Sequence, residues 1–305
     1  MTGDEAAEPG VRRLAHLSLC FVIDSATNGM AGLKTLDAVL IMAVNQANIV
    51  PLTRDPDARS RYGALDAPAP DEERRPVSVS AVAASLRLPY ETVRRRLKQL
   101  AAEGACTLTE RGAVIPQEFL GSPAYLDTTR VLHERIWAFY REARDLGLIG
   151  ELPPSRYPID AGIPVRGAVR LVSDYLLRTS DMFVGYFGDL ISGLVGMAVL
   201  CASTDPDGAR PTHMSALAER LHLPLETVRR HALGLVEAGR CERHRQGLLI
   251  TEATLAEPRL AGLFRDNAGH VQRLFAGLAE RGVVDAWERL RPAGGGVAGE
   301  MAKGA

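Results

Sequence analysis

The chain has 305 residues, 46% hydrophobic and 24% charged, a globular balance with room for roughly two domains that excludes wholesale disorder and collagen-like structure. Lysine plus arginine (36) nearly cancels aspartate plus glutamate (37), so the net charge is -1 and any polyanion site has to be local. Only Lys34, Lys98 and Lys303 are lysines; the Arg- and Ala-rich texture is that of GC-rich bacterial coding. Four cysteines (Cys20, Cys106, Cys201, Cys241) lie scattered without a CxxC pair, and a chain this long can build a core without disulfides, so a reducing cytoplasm is the expected location.

In chain order, the first ten residues are acidic and lack the charged start, apolar run and cleavage site of a signal peptide. Apolar scaffold helices are expected over 11–27 and 33–50. The segment 57–75 is rich in Pro, Asp and Arg and predicts a mobile loop. Ser78 to Leu86 predicts a short helix, Arg87-Leu-Pro89 a tight turn, and the next residues a second helix of about 13 residues ending at Gly104. Cys106 to Glu110, a turn at Arg111-Gly112 and Ala113 to Ile115 predict a two-stranded hairpin. An amphipathic helix runs from about Arg135 towards Gly147, and residues 150–164 read as a linker. Two more scaffold helices are expected, 165–179 and 182–200. The second is the nearest approach to a membrane span, with Gly185, Gly188, Gly193 and Gly196 spaced for close packing; Asp189 within it favours a buried scaffold helix, and no membrane partner is expected. The Gly-rich tail, 292–305, should be disordered.

The segment Pro76–Ile115 recurs as Pro211–Ile250 at a constant offset of 135, with 17 of 40 positions identical. Chance would give about two or three, so the chain carries an internal duplication. Leu86-x-Leu-Pro-x-Glu-Thr-Val-Arg-Arg95 returns as Leu221-x-Leu-Pro-x-Glu-Thr-Val-Arg-Arg230, followed in both copies by matching Leu, Gly, Cys, Gly and Ile. Downstream, the helix from Arg135 is echoed by one from His270 to Gly282. Two units follow: 11–150, with its repeat core at 76–116, and 165–290, with its core at 211–251.

On the second helix Val93, Leu97 and Leu100 form one apolar stripe, which leaves Arg95 and Lys98 pointing away from it, flanked by Thr92, Arg94 and Arg96. Local charge agrees: residues 74–120 carry a net +4 and residues 209–255 a net +2. Helix, turn, basic helix and hairpin in that order resemble the winged helix-turn-helix domain of bacterial transcription regulators of the broad MarR, GntR and IclR kind, over about 40 residues per copy. The resemblance implies a mainly α fold of two winged-helix units with flanking scaffold helices, arranged as a pseudo-two-fold internal duplication. It places Tyr90, Glu91, Thr92, Arg94, Arg95, Arg96 and Lys98 at or near duplex contacts, with Arg111 on the wing. In the second copy it places Leu225, Glu226, Thr227, Arg229, Arg230 and His231 there, with Arg243 and Arg245 on the wing. Leu233 and Gly234 stand where the first copy has Lys98 and Gln99, so the second face is less basic.

The function implied is sequence-specific binding of double-stranded DNA, at an imperfect inverted repeat, by a transcription regulator acting as a monomeric pseudo-dimer or as a homodimer, with a small-molecule effector as a candidate partner. The alternatives are a winged-helix protein-interaction scaffold like the chromosome-segregation adaptors, and a replication initiator. No nucleotide-binding, zincin or nucleophile-elbow motif is present, so no enzyme activity or cofactor is expected. Cys241 and His244 have CxxH spacing but no tetrahedral set around them, so no metal is expected either.

Overall fold

The computed structural model describes residues 9–27, 30–157 and 162–290, and the fold is mainly helical. The Gly-rich tail and most of the acidic start lie outside the described residues. The first scaffold pair is α1 (Pro9–Thr27) and α2 (Thr35–Arg54). After α3 (Pro56–Arg61) and a 3-10 turn at Asp71–Glu73 come α4 (Val79–Leu86), α5 (Tyr90–Ala102), β1 (Thr107–Thr109) and β2 (Gly112–Val114). The short α6 (Gln117–Gly121) and the long α7 (Pro123–Asp145) close this part. The second part runs α8 (Val165–Phe187), α9 (Leu190–Ser203), α10 (Met214–Leu221), α11 (Leu225–Glu237), β3 (Glu242–His244), β4 (Gly247–Leu249), α12 (Glu252–Leu255), α13 (Pro258–Glu280) and α14 (Val283–Leu290).

Local chemistry sets the boundaries. Ser78 accepts from the Ala81 N–H to cap α4, and Ser122, followed by Pro123 at the first helical position, caps α7 from the Tyr125 N–H. α7 and α13 are each 23 residues long and start at prolines 135 apart. The expected break between the two later scaffold helices at 180–181 is corrected: α8 continues to Phe187. The chain turns at Gly188 (φ 110°), and Asp189 starts α9 by accepting from the N–H groups of Ile191 and Ser192. The two helices meet at 96°, so 182–200 is a corner rather than one straight segment. There a Cβ on Gly193 would lie 2.8 Å from Val184 Cγ2, and one on Gly196 2.6 Å from the Phe187 ring, which is why this crossing needs glycine. α2 alone is long and apolar enough to cross a membrane among the described residues, and most of it is buried against the rest of the chain.

One hydrophobic core runs through both parts, from Leu14 to Trp287. Phe21, Phe139, Tyr140, Phe275 and Trp287 chain their rings at 5.3–5.4 Å between centroids. At its centre the buried Asn267 amide donates to Ser18 Oγ (2.6 Å) and accepts from the Tyr175 hydroxyl (3.1 Å), tying α13 to α1 and α8. Packing crosses between the parts: α1 lies on α13 and α9, and α7 lies on α8.

Two expectations are overturned. The segment 57–75 is not a free loop: Ala58 and Ala69 are buried, and the buried Arg74 donates to the Ala69 carbonyl and to Asn45 Oδ1, both at 3.1 Å. Six-residue α3 forms because Asp55 caps it from the Asp57 N–H and Pro56 presets its first turn. The cysteines also differ from the expectation: Cys20 and Cys201 form a disulfide across 181 residues, joining α1 to α9, while Cys106 and Cys241 are free and buried. A spacing rule for neighbouring cysteines carries no signal for a pair that only the packed helices bring together.

Candidate nucleic-acid interface

Each repeat core places its second helix the same way. The first helix ends in a left-handed residue, Arg87 or His222 (both φ 51°), and Pro89 or Pro224 leads into α5 or α11. Buried Val93, Leu97 and Leu100 hold α5, and Val228, Ala232 and Leu235 hold α11. Facing away from these stripes, Tyr90, Glu91, Arg94, Arg95 and Lys98 are exposed on α5, as are Leu225, Glu226, Arg229 and Arg230 on α11; Thr92 and Thr227 are half-buried.

The hairpins pair Thr107 with Val114 and Glu242 with Leu249, and each is widened by one bridge to the strand before the first helix, Val77 to Ala113 and Thr212 to Leu248. Gly112 and Gly247 (φ 128° and 133°) pass so close to that strand that a Cβ would sit 2.2 Å from the Val77 carbonyl oxygen or 2.3 Å from that of Thr212. The turns put Arg111, and Arg245 with Arg243 beside it, in solvent at the hairpin ends. Scaffold side chains fix the hairpin bases. Asn48 of α2 donates to the Arg75 and Ala113 carbonyls and accepts from the Ile115 N–H, while Ser203 of α9 accepts from the Ile250 N–H.

Two expected contact residues are turned the other way. Arg96 Nη1 donates to Asp37 Oδ1 of α2 at 2.7 Å, with 25% and 12% of the two side chains exposed. At the corresponding position 135 residues on, His231 Nδ1 lies 2.9 Å from Ser192 Oγ and 3.4 Å from Asp189 Oδ2 at the start of α9. Arg96 and His231 therefore join α5 and α11 to the scaffold and do not belong to the exposed face. The Ser192 hydroxyl donates to Asp189 (2.7 Å), so its proton is directed away from His231 and the trio is a structural tie. Burial works against the Asp189 charge, but the Ser192 N–H and hydroxyl, with His231 beside it, bring the carboxyl below its usual range.

Local charge is correspondingly smaller than the sequence count. Arg74 is buried, Arg87 pairs with Asp181 (3.0 Å) and Arg96 with Asp37, so Arg75, Arg94, Arg95, Lys98 and Arg111 remain. Arg94 and Arg229 rest on Glu91 and Glu226 one turn back, at 3.0 and 3.1 Å. Both pairs are exposed and weak enough to open for a phosphate. Leu233, which takes the place of Lys98, is exposed, so the second face is apolar where the first is cationic.

His244 faces Glu242 at 3.7 Å and Cys241 is buried, its thiol pushed up to about 11 by desolvation, as is that of Cys106. The metal-type side chains that do converge among the described residues are His16, Cys20 and Cys201, and the two sulfurs there are joined to each other. Sequence reasoning missed the positioning residues Asp37, Asn48, Asp189, Ser192 and Ser203. Asp189 had a visible signal, a single carboxylate in the apolar run 182–200; Asn48, one of three amides in Asn45-Gln-Ala-Asn48, and the others did not stand out. No protein-family model matches the chain, and neither a curated protein nor a solved structure matches it.

Proposed function

We propose that the chain is a sequence-specific double-stranded-DNA-binding transcription regulator in which two winged helix-turn-helix units, duplicated in one chain, act as a pseudo-dimer. The observation that carries the reading is the repeated pair of exposed arginines, Arg94-Arg95 and Arg229-Arg230, each on the second helix of a helix-turn-helix followed by a hairpin with arginine at its end. Guanidinium forks suit guanine edges and phosphates, and a second helix held by its apolar stripe is free to enter a major groove. The crossed packing of α1 on α13 and α7 on α8 supports a two-fold relation, because each unit's long helix then rests on the other unit's first helix. Arg94, Arg95, Lys98 and Arg111 would read or anchor the duplex in the first unit, and Arg229, Arg230, Arg243 and Arg245 in the second.

Titrating a fluorescent duplex at several salt concentrations tests this. Affinity should fall steeply and linearly with log salt, by about one slope unit per phosphate contact. A second reading, a protein-interaction scaffold, draws on Leu225 and Leu233, exposed by 40% and 37% on α11. Under that reading the duplex would bind weakly, and equally in a variant lacking all four arginines. Binding confined to one replication origin would instead favour an initiator.

A further inference from the structure

We propose that a cavity of about 580 Å³, between the C-terminal half of α2, α3 and the beginnings of α8 and α14, binds a small amphipathic carboxylate. Its volume is in the range of sites for drug-sized ligands. Four arginines line it: Arg59 on α3, Arg170 on α8, Arg281 just before α14 and Arg289 on α14. Of the two carboxylates on the lining, Asp174 is committed to Arg178 (2.7 Å) and Asp285 remains; Arg59, Arg170 and Arg281 form no ion pair among the described residues.

Burying these cations has a visible cost. Desolvation with the charge of Arg59 lowers the Arg281 guanidinium, and desolvation, with Arg166 and Arg74 outside the cavity lining, holds that of Arg170 down to about 10. Gln46 Oε1 and Arg59 Nε, on lining residues, are buried without a hydrogen-bond partner among the described residues. An oxyanion would relieve the repulsion and could take bidentate guanidinium bonds. Ala47, Val50, Ile163 and Leu171 supply apolar wall for the ligand's body. Asp285, also on the lining, disfavours a second negative charge, so a carboxylate fits better than a phosphate dianion.

The site reaches the first hairpin through one turn of α2. Gln46, Ala47 and Val50 flank Asn48, whose amide holds Ala113 and Ile115. Occupancy should therefore bear on hairpin position, a step that rests on the DNA-binding reading; the binding site itself does not.

Calorimetric titration of the full chain with 1-naphthoate and with decanoate, beside neutral 1-naphthamide and inorganic phosphate, tests the proposal. At least one carboxylate should bind at one equivalent per chain, with the amide and phosphate tenfold or more weaker. Arg170→Met should weaken it by about ten- to a hundredfold, the worth of a charged hydrogen bond. Val50→Trp, at an exposed lining position, should block it with every arginine intact and decides the matter if the Arg170 variant does not fold. Failure of both carboxylates to bind, amide or phosphate binding as tightly, or wild-type binding by Val50→Trp would overturn it. No DNA enters the titration, so this outcome and that of the duplex experiment are separable.

Discussion

Arg96 reaches back from the exposed helix α5 to Asp37 at the start of α2, 2.7 Å away, and thereby fixes the orientation of the helix that carries Arg94 and Arg95. The second unit solves the same problem with different chemistry, His231 against Ser192 and Asp189. Removing one partner of such a half-buried pair leaves the other uncompensated. Asp37→Ala should cost about 1–3 kcal/mol in urea unfolding and weaken duplex binding although Asp37 touches no duplex in the proposed complex. Unchanged unfolding would show that the apolar stripe alone positions α5.

Arg94→Ala with Arg95→Ala should weaken specific duplex binding by roughly 2–5 kcal/mol, the sum of two base or phosphate contacts, with unfolding unchanged because neither side chain enters the core. Wild-type affinity in this folded double variant would mean that α5 does not read the duplex.

Arg229→Ala with Arg230→Ala should cost less, because Leu233 stands where the first unit has Lys98 and His231 is engaged with α9. An equal or larger loss, measured on the same duplex, would contradict the inequality of the two faces.

The order of elements within each repeat core and the exposed face of its second helix were legible in the sequence because the duplication doubled the signal: Leu86 and Leu221, or Gly112 and Gly247, mark the same turns twice. What stayed hidden were relationships across long sequence separations. Arg96 and Arg95 are adjacent and identical in composition, and only the helical rotation combined with the position of α2 decides that one meets Asp37 and the other solvent. Likewise, Pro- and Arg-rich residues 57–75 read as a loop, yet a buried guanidinium, Arg74, finds the Ala69 carbonyl and Asn45 and so orders the segment. The cavity arginines, drawn from three elements, had no local pattern at all.

Reducing the Cys20–Cys201 disulfide should lower stability by about 2–4 kcal/mol, since it closes a long loop between α1 and α9. The urea midpoint should fall on adding reductant, and Cys20→Ala with Cys201→Ala should unfold at the reduced midpoint and ignore the reagent. A midpoint indifferent to reductant in the wild type would contradict this.

Acid should destabilise the fold before the carboxylates titrate. Burial lowers His16, His133 and His270 below the ordinary 6.5, so the unfolded chain takes up protons that the folded chain refuses. Their contribution is fully present above 6.5 and is lost as pH falls from there towards the folded values. At His133 the loss has a specific cause, because Trp287 Nε1 donates to His133 Nε2 at 3.2 Å and protonation removes that acceptor. Stability compared at pH 7.5 and 5.5 should fall, and His133→Phe should flatten the dependence; stability that rises on acidification would contradict it.

In the proposed complex two unequal helices of one chain, α5 and α11, recognise one duplex as an internal pair. Selection from a randomised duplex library by the full-length chain, followed by a stoichiometric titration of the selected site, tests it most directly. The selected site should be an imperfect inverted repeat with half-site centres about 10–11 base pairs apart, one half better defined than the other, filled by a single chain. A direct repeat, a site that fills only with two chains, or no enriched sequence would contradict it.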